Sequence, residues 1–156
     1  MLWLWLFAAC GPADAGSAPA PHLLPPPPPM TEVDPFVWET PPTSLEGNPG
    51  KIELRLLVPA GMHVYRDQIE VHPIDTGGLT LGVPDFPPGE LAPDPAGDLP
   101  REMYSGDVII YVPVSPAPGL HSVVFSATHQ GCKPGLCFPP KTQELTSIVR
   151  SPAEVP

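Results

Sequence analysis

The chain has 156 residues, the length of one ordinary domain, and a formal net charge of -10 from 7 Lys+Arg against 17 Asp+Glu. An acidic chain with no basic run is excluded as a nucleic-acid binder. Its 28 prolines and 14 glycines, with only 15% charged residues, favour strands, turns and extended linkers over helices.

Residues 1–10, MLWLWLFAAC, form an apolar run too short to cross a membrane as a helix. The run resembles the apolar region of a bacterial lipoprotein export signal, with FAAC as the lipobox and Cys10 as the residue that would carry lipid. Phe7 stands where Leu is usual, and no Lys or Arg precedes the run. An ordinary cleaved signal peptide is the alternative. With Cys10 lipidated, Cys132 and Cys137 remain as one pair in an oxidising compartment. Residues 11–33 are rich in Pro and Ala and include a five-proline run, which reads as a polyproline II spacer between a membrane and a domain.

The folded part is expected over 34–150, with 151–156 as a tail. PFVWET supplies a first short strand. KIELRLLV alternates, with Ile52, Leu54, Leu56 and Val58 on one face. MHVY and QIEVHPI follow, then LTLGV with Leu79, Leu81 and Val83 on one face. DVIIYVPV aligns Val108, Ile110, Val112 and Val114, and HSVVFSATH aligns Val123, Phe125 and Ala127. KTQELTSIV supplies a last strand. About seven short strands punctuated by Gly and Pro read as an all-β, antiparallel β-sandwich. Pro73 and Pro113 mark edges or strand ends. The segment from Pro84 to Asp107 shows no strand pattern and is longer than an ordinary turn, which points to a functional loop. Met103 and Tyr104 near its end either anchor it in the core or cap something on the surface.

HQGCKPGLCFPP, from His129 to Pro140, carries the cysteine pair. Pro134-Gly135 suits the centre of a β-turn, so Cys132 faces Cys137 across a hairpin, close enough to bond. Three readings stand. As a staple, a loop this short contributes only about 2 kcal/mol, and a domain of this size has a core without it. As a redox pair, it would be helped by Lys133, whose charge favours a nearby thiolate. As a copper clip, it would use His129, Cys132 and Cys137, with Met62, Met103 and His63 as further soft ligands. Strand alternation, however, sends His129 and Cys132 to opposite faces unless the chain bulges. No GxSxG, phosphate loop or HExxH is present.

Three motifs in order carry a family resemblance. QGCKPGLCFPP resembles the Gly-Cys…Gly-x-Cys-aromatic-Pro-Pro of the periplasmic N-terminal domain of the thiol:disulfide interchange protein DsbD. GMHVYRDQIEV resembles that family's Tyr-Arg-x-Gln-Ile segment, and REMYSGDVIIYVPV its cap loop and following strand. The match runs from about Lys51 to Val149. It implies an immunoglobulin-like sandwich whose cysteines shuttle electrons without a cofactor. Cys137 would form the mixed disulfide and Cys132 would resolve it. Met103 falls where the family has its capping Phe, with Tyr104 beside it, Glu102 as the acidic cap-loop residue and Tyr65 as the tyrosine lining the site. His63 stands where a second tyrosine is usual, and the cysteine loop is one residue shorter than in the best-known members. The resemblance further implies a periplasmic location in a Gram-negative-type bacterium and thioredoxin-fold partners. The family's membrane-spanning and thioredoxin-like domains do not follow, so the expectation is a lipid-tethered module that meets a membrane thiol-disulfide carrier in trans. An immunoglobulin-like binding module with a structural disulfide or a copper site is the alternative.

Overall fold

Where apolar residues recur at every second position, the chain has one face to bury, and two such faces make the core. The computed structural model describes residues 33–45, 50–93, 99–115 and 117–152. In chain order its strands are β1 (Val37–Glu39), β2 (Thr43–Ser44), β3 (Gly50–Leu57), β4 (His63–Tyr65), β5 (Glu70–Asp75), β6 (Thr80–Leu81) and β7 (Glu90–Ala92). They continue with β8 (Arg101–Tyr104), β9 (Val108–Ser115), β10 (Gly119–His129), β11 (Gly131–Lys133), β12 (Leu136–Cys137) and β13 (Lys141–Ser151). The one helical element among the described residues is a 3-10 turn at Arg66–Gln68.

Two four-stranded sheets, ordered β1-β3-β9-β6 and β2-β13-β10-β5, form an immunoglobulin-like sandwich. The first contributes Trp38, Ile52, Leu54, Leu56, Val108, Ile110, Val112 and Val114 to the core. The second answers with Val71, Val123, Phe125, Ala127, Leu145 and Val149. All pairings are antiparallel except the short parallel contact of β2 with β13. Pro73 lies on β5, which among the described residues pairs only with β10, so its missing N–H costs no ladder bond on the outer side. The register of that pair shifts beside it, between Val124 and Phe125.

Two expectations need correction. LTLGV yields only the two residues of β6, and Val83 is 84% exposed rather than facing the core. The Pro84–Asp107 segment is not strandless. It holds β7 and β8, and Asp85 bridges to Tyr111. These strands are too short to show a period, and they exist because other strands offer them free edges. They complete a third sheet, ordered β12-β11-β4-β8-β7, at one end of the sandwich. The chain enters it by leaving β10 at His129 and resuming pairing at Gly131.

Candidate active site

The site begins with a turn. Pro134 and Gly135 separate β11 from β12, and Gly135 has φ 78°, a left-handed value open to glycine and needed at the third position of a type II turn. The turn sets the register Lys133↔Leu136 and Cys132↔Cys137. The two cysteines are disulfide-bonded, with Cα atoms 4.0 Å apart. Below the bond the Phe138 N–H donates to the Gly131 carbonyl at 2.9 Å. The two halves of the disulfide differ: Cys132 is buried, at 2% exposure, and Cys137 is exposed.

Register and alternation then sort the surrounding residues. Gly131 and Cys132 pair with Val64 and His63 of β4, and Val64 and Tyr65 pair with Tyr104 and Met103 of β8. Residues that pair directly share a face, as do residues two apart on one strand. Cys137, Cys132, His63, Tyr65 and Met103 therefore lie on one face. Their contacts agree: the His63 and Tyr65 rings meet edge-on at 5.2 Å, and the Arg101 guanidinium lies 3.9 Å from the Tyr65 ring centroid. Arg101 also pairs with Asp67 at 2.5 Å. The face thus runs as a row from Arg101 through Tyr65 and His63 to the cysteines. Arg101 was not anticipated, although it sits two residues before Met103 and alternation would have placed it here.

Glu102 and Tyr104 fall on the reverse face, which corrects the expectation that they line the sulfurs. Glu102 Oε1 accepts the Gly89 N–H at 2.6 Å, and the Tyr104 hydroxyl donates to the Pro87 carbonyl at 2.7 Å. Both side chains hold the 87–89 loop from below. Tyr104 is buried, and its phenol is pushed above the ordinary value first by desolvation and then by the Glu102 charge. Met103 shares the cysteines' face but is two strands from Cys132 and three from Cys137. In this conformation Cys137 stays exposed.

His129 is not beside the sulfurs in a ligand set. It is fully buried, and both ring nitrogens are occupied: Trp38 Nε1–H donates to Nδ1 at 3.0 Å, and Nε2 bonds Asp34 Oδ2 at 2.9 Å. Among the described residues no group of three or more His, Cys, Asp or Glu side chains could hold a metal ion. The copper reading loses His129 as a ligand. Cys10 lies outside the described residues.

Fold and site define a class: immunoglobulin-like domains that carry a disulfide across a hairpin, with one cysteine accessible and the other buried. Comparison with known proteins narrows it. The chain belongs to the family described as thiol:disulfide interchange protein DsbD, N-terminal, which it matches over residues 35–148. Among solved structures it is similar to the reduced DsbD N-terminal domain of Neisseria meningitidis, with 26% identity and a TM-score of 0.49, covering 61% of this chain and 74% of that one. It is also similar to a structure of the complex between the DsbD N-terminal and PilB N-terminal domains of the same organism. There the identity is 25% and the TM-score 0.54, over 81% of this chain and 88% of the other. No curated protein matches.

Proposed function

We propose that this domain is a periplasmic thiol-disulfide exchange module whose Cys132–Cys137 pair carries two electrons between a membrane thiol-disulfide carrier and thioredoxin-fold or substrate proteins. The observation that carries the reading is the asymmetry of the pair, Cys137 exposed and Cys132 buried. A donor thiolate attacks the Cys137 sulfur; the bond to Cys132 breaks, and Cys132 leaves as a thiolate that takes a proton. The donor's second thiol attacks the donor sulfur of the mixed disulfide and releases Cys137, so the donor leaves as a disulfide and the domain holds two thiols. In the outward step the Cys137 thiolate attacks a partner disulfide. Cys132 then attacks the Cys137 sulfur, expels the partner as a dithiol and restores the Cys132–Cys137 bond.

His63, Tyr65 and Met103 line the face across which a partner approaches, and Glu102 and Tyr104 support that face through the 87–89 loop. The complex of a related domain with a PilB N-terminal domain supports a protein as the exchange partner. In this reading residues 1–10 are an export signal ending in the lipid-bearing Cys10, residues 11–33 are a tether, and the exchange domain spans 34–150. The test is capture. Full-length Cys132→Ala, expressed with its export signal, should accumulate mixed disulfides through Cys137 with thioredoxin-fold proteins, identified by mass spectrometry after non-reducing separation. The absence of any captured protein, with the variant folded and exported, would overturn the reading.

A further inference from the structure

The hairpin that carries the cysteines is held from beneath by a segment almost a hundred residues earlier in the chain. His129, the last residue of β10, is separated from Gly131 by Gln130 alone, and Cys132 follows Gly131. Its ring is gripped by residues 34–38. An indole N–H can only donate, so the bond from Trp38 Nε1 makes Nδ1 the acceptor. The ring proton therefore sits on Nε2, which donates it to Asp34 Oδ2. The other Asp34 oxygen accepts the Phe36 N–H at 2.9 Å, which sets the bend that brings Phe36 inward. Phe36 is 1% exposed, with its ring 5.6 Å from that of His129 and 6.2 Å from that of Phe138. It packs so closely under Gly131 that a Cβ there would lie only 2.0 Å from its Cε2. Gly131 adjoins Cys132 and Phe138 adjoins Cys137. The contacts thus lead without a gap from Asp34 and Trp38 through His129 and Phe36 to the two arms of the redox hairpin.

We infer that His129, Asp34 and Trp38 are positioning residues: they form a latch that keeps the two cysteine arms in bonding register and thereby stabilises the oxidised pair. The inference rests on the redox reading of that pair. With the latch closed, the two thiols of the reduced protein remain facing each other, so their effective concentration for reclosure is high. With it open, the arms are free to part and the bond reduces more readily. The latch also senses protons. A proton on Nδ1 would set an N–H of His129 against the N–H of Trp38, and the bond between them is lost. The charged and titratable groups facing this ring are Asp34 and Lys141, the cross-strand partner of His129 whose Nζ is 3.9 Å from Asp34 Oδ2. Trp38, Phe36 and Phe138 contribute no titrating charge. Burial holds the His129 imidazole below its ordinary value, against the pull of Asp34, so the latch stays closed at neutral pH.

The test equilibrates full-length protein with a small dithiol redox buffer at pH 7 and reads the Cys132–Cys137 equilibrium by mass spectrometry after alkylation. Trp38→Phe removes one hydrogen bond while keeping an aromatic ring in the core, and His129→Phe removes both. The expected result is a shift toward the reduced pair of about threefold for Trp38→Phe and about tenfold for His129→Phe, the latter near 30 mV. Val123→Ala, a core cavity in the same sandwich away from the hairpin, should shift it less than twofold despite its loss of stability. The wild-type value should approach that of Trp38→Phe as pH is lowered through the His129 transition. If His129→Phe does not fold, Trp38→Phe alone decides. Unchanged equilibria in the folded variants, or an equal shift in Val123→Ala, would overturn the latch. This readout needs only the disulfide and a small dithiol. Failure of the exchange reading would show instead as the absence of captured partners.

Discussion

Adding one methyl group at Gly131 tests the packing beneath the cysteines. The Cβ of Gly131→Ala would meet Cε2, Cζ and Cδ2 of Phe36. The ring has little room to retreat, since His129 lies on one side and Phe138 on another. Overpacking of this kind costs about 1–3 kcal/mol, and at roughly 4 °C per kcal/mol the midpoint should fall by roughly 4–12 °C. Phe36→Ala alone should cost about 3–5 kcal/mol by opening a cavity. In that background the methyl has somewhere to go, so Gly131→Ala should add less than about 0.5 kcal/mol. The difference is a coupling of about 1–3 kcal/mol between the two positions. Urea denaturation of the four proteins, followed by circular dichroism on oxidised samples, measures it. A Gly131→Ala protein within about 0.5 kcal/mol of wild type, or the same cost with and without Phe36, would refute the claim that this ring supports the hairpin.

Other expectations follow from single groups. His129 is held below its ordinary value in the fold, so the unfolded chain binds the extra proton first. Stability is therefore full above about pH 6.5 and falls as pH drops below it. Because the raised His121 contributes in the opposite sense, the quantity to follow is the difference between wild type and His129→Phe from pH 5 to 8, and a flat difference would contradict the account. Tyr104→Phe leaves the Pro87 carbonyl without its buried donor and should cost about 1–3 kcal/mol in urea denaturation. It should leave the rate of disulfide reduction by dithiothreitol within twofold, because Tyr104 lies on the reverse face. The Ser147 hydroxyl is buried with no hydrogen-bond partner, so Ser147→Ala should stabilise the domain by about 1 kcal/mol.

The sandwich was legible because its long strands are each buried on one face. In β3, β9 and β10, alternation named Ile52, Leu54, Leu56, Val108, Ile110, Val112, Val123 and Phe125, and all are buried. The Pro-Gly turn was equally readable, since local backbone preference alone sets Cys132 opposite Cys137. The third sheet was not. Strands of two to four residues such as β7, β8 and β12 have no period to detect, and their pairing is decided by edges left free elsewhere. That is why the sequence left Tyr104 open between core anchor and surface cap: the orientation of Glu102 and Tyr104 depends on β8 pairing Met103 with Tyr65, and Tyr104 is buried as an anchor. The role of His129 was half visible. It continues the buried series Val123, Phe125, Ala127 at period two, which marks it as a core histidine. Its acceptor, however, is 95 residues away in sequence, and no local pattern links them.

In the proposed exchange Cys137 is the cysteine that meets a partner and Cys132 the one that resolves. The most direct test is the rate at which each single-cysteine form, Cys132→Ala and Cys137→Ala, becomes a mixed disulfide with a small oxidised disulfide reagent at pH 7, followed by intact mass. Exposure of Cys137 and burial of Cys132 predict that the protein retaining Cys137 reacts at least about tenfold faster. Equal rates, or faster reaction through Cys132, would contradict the account.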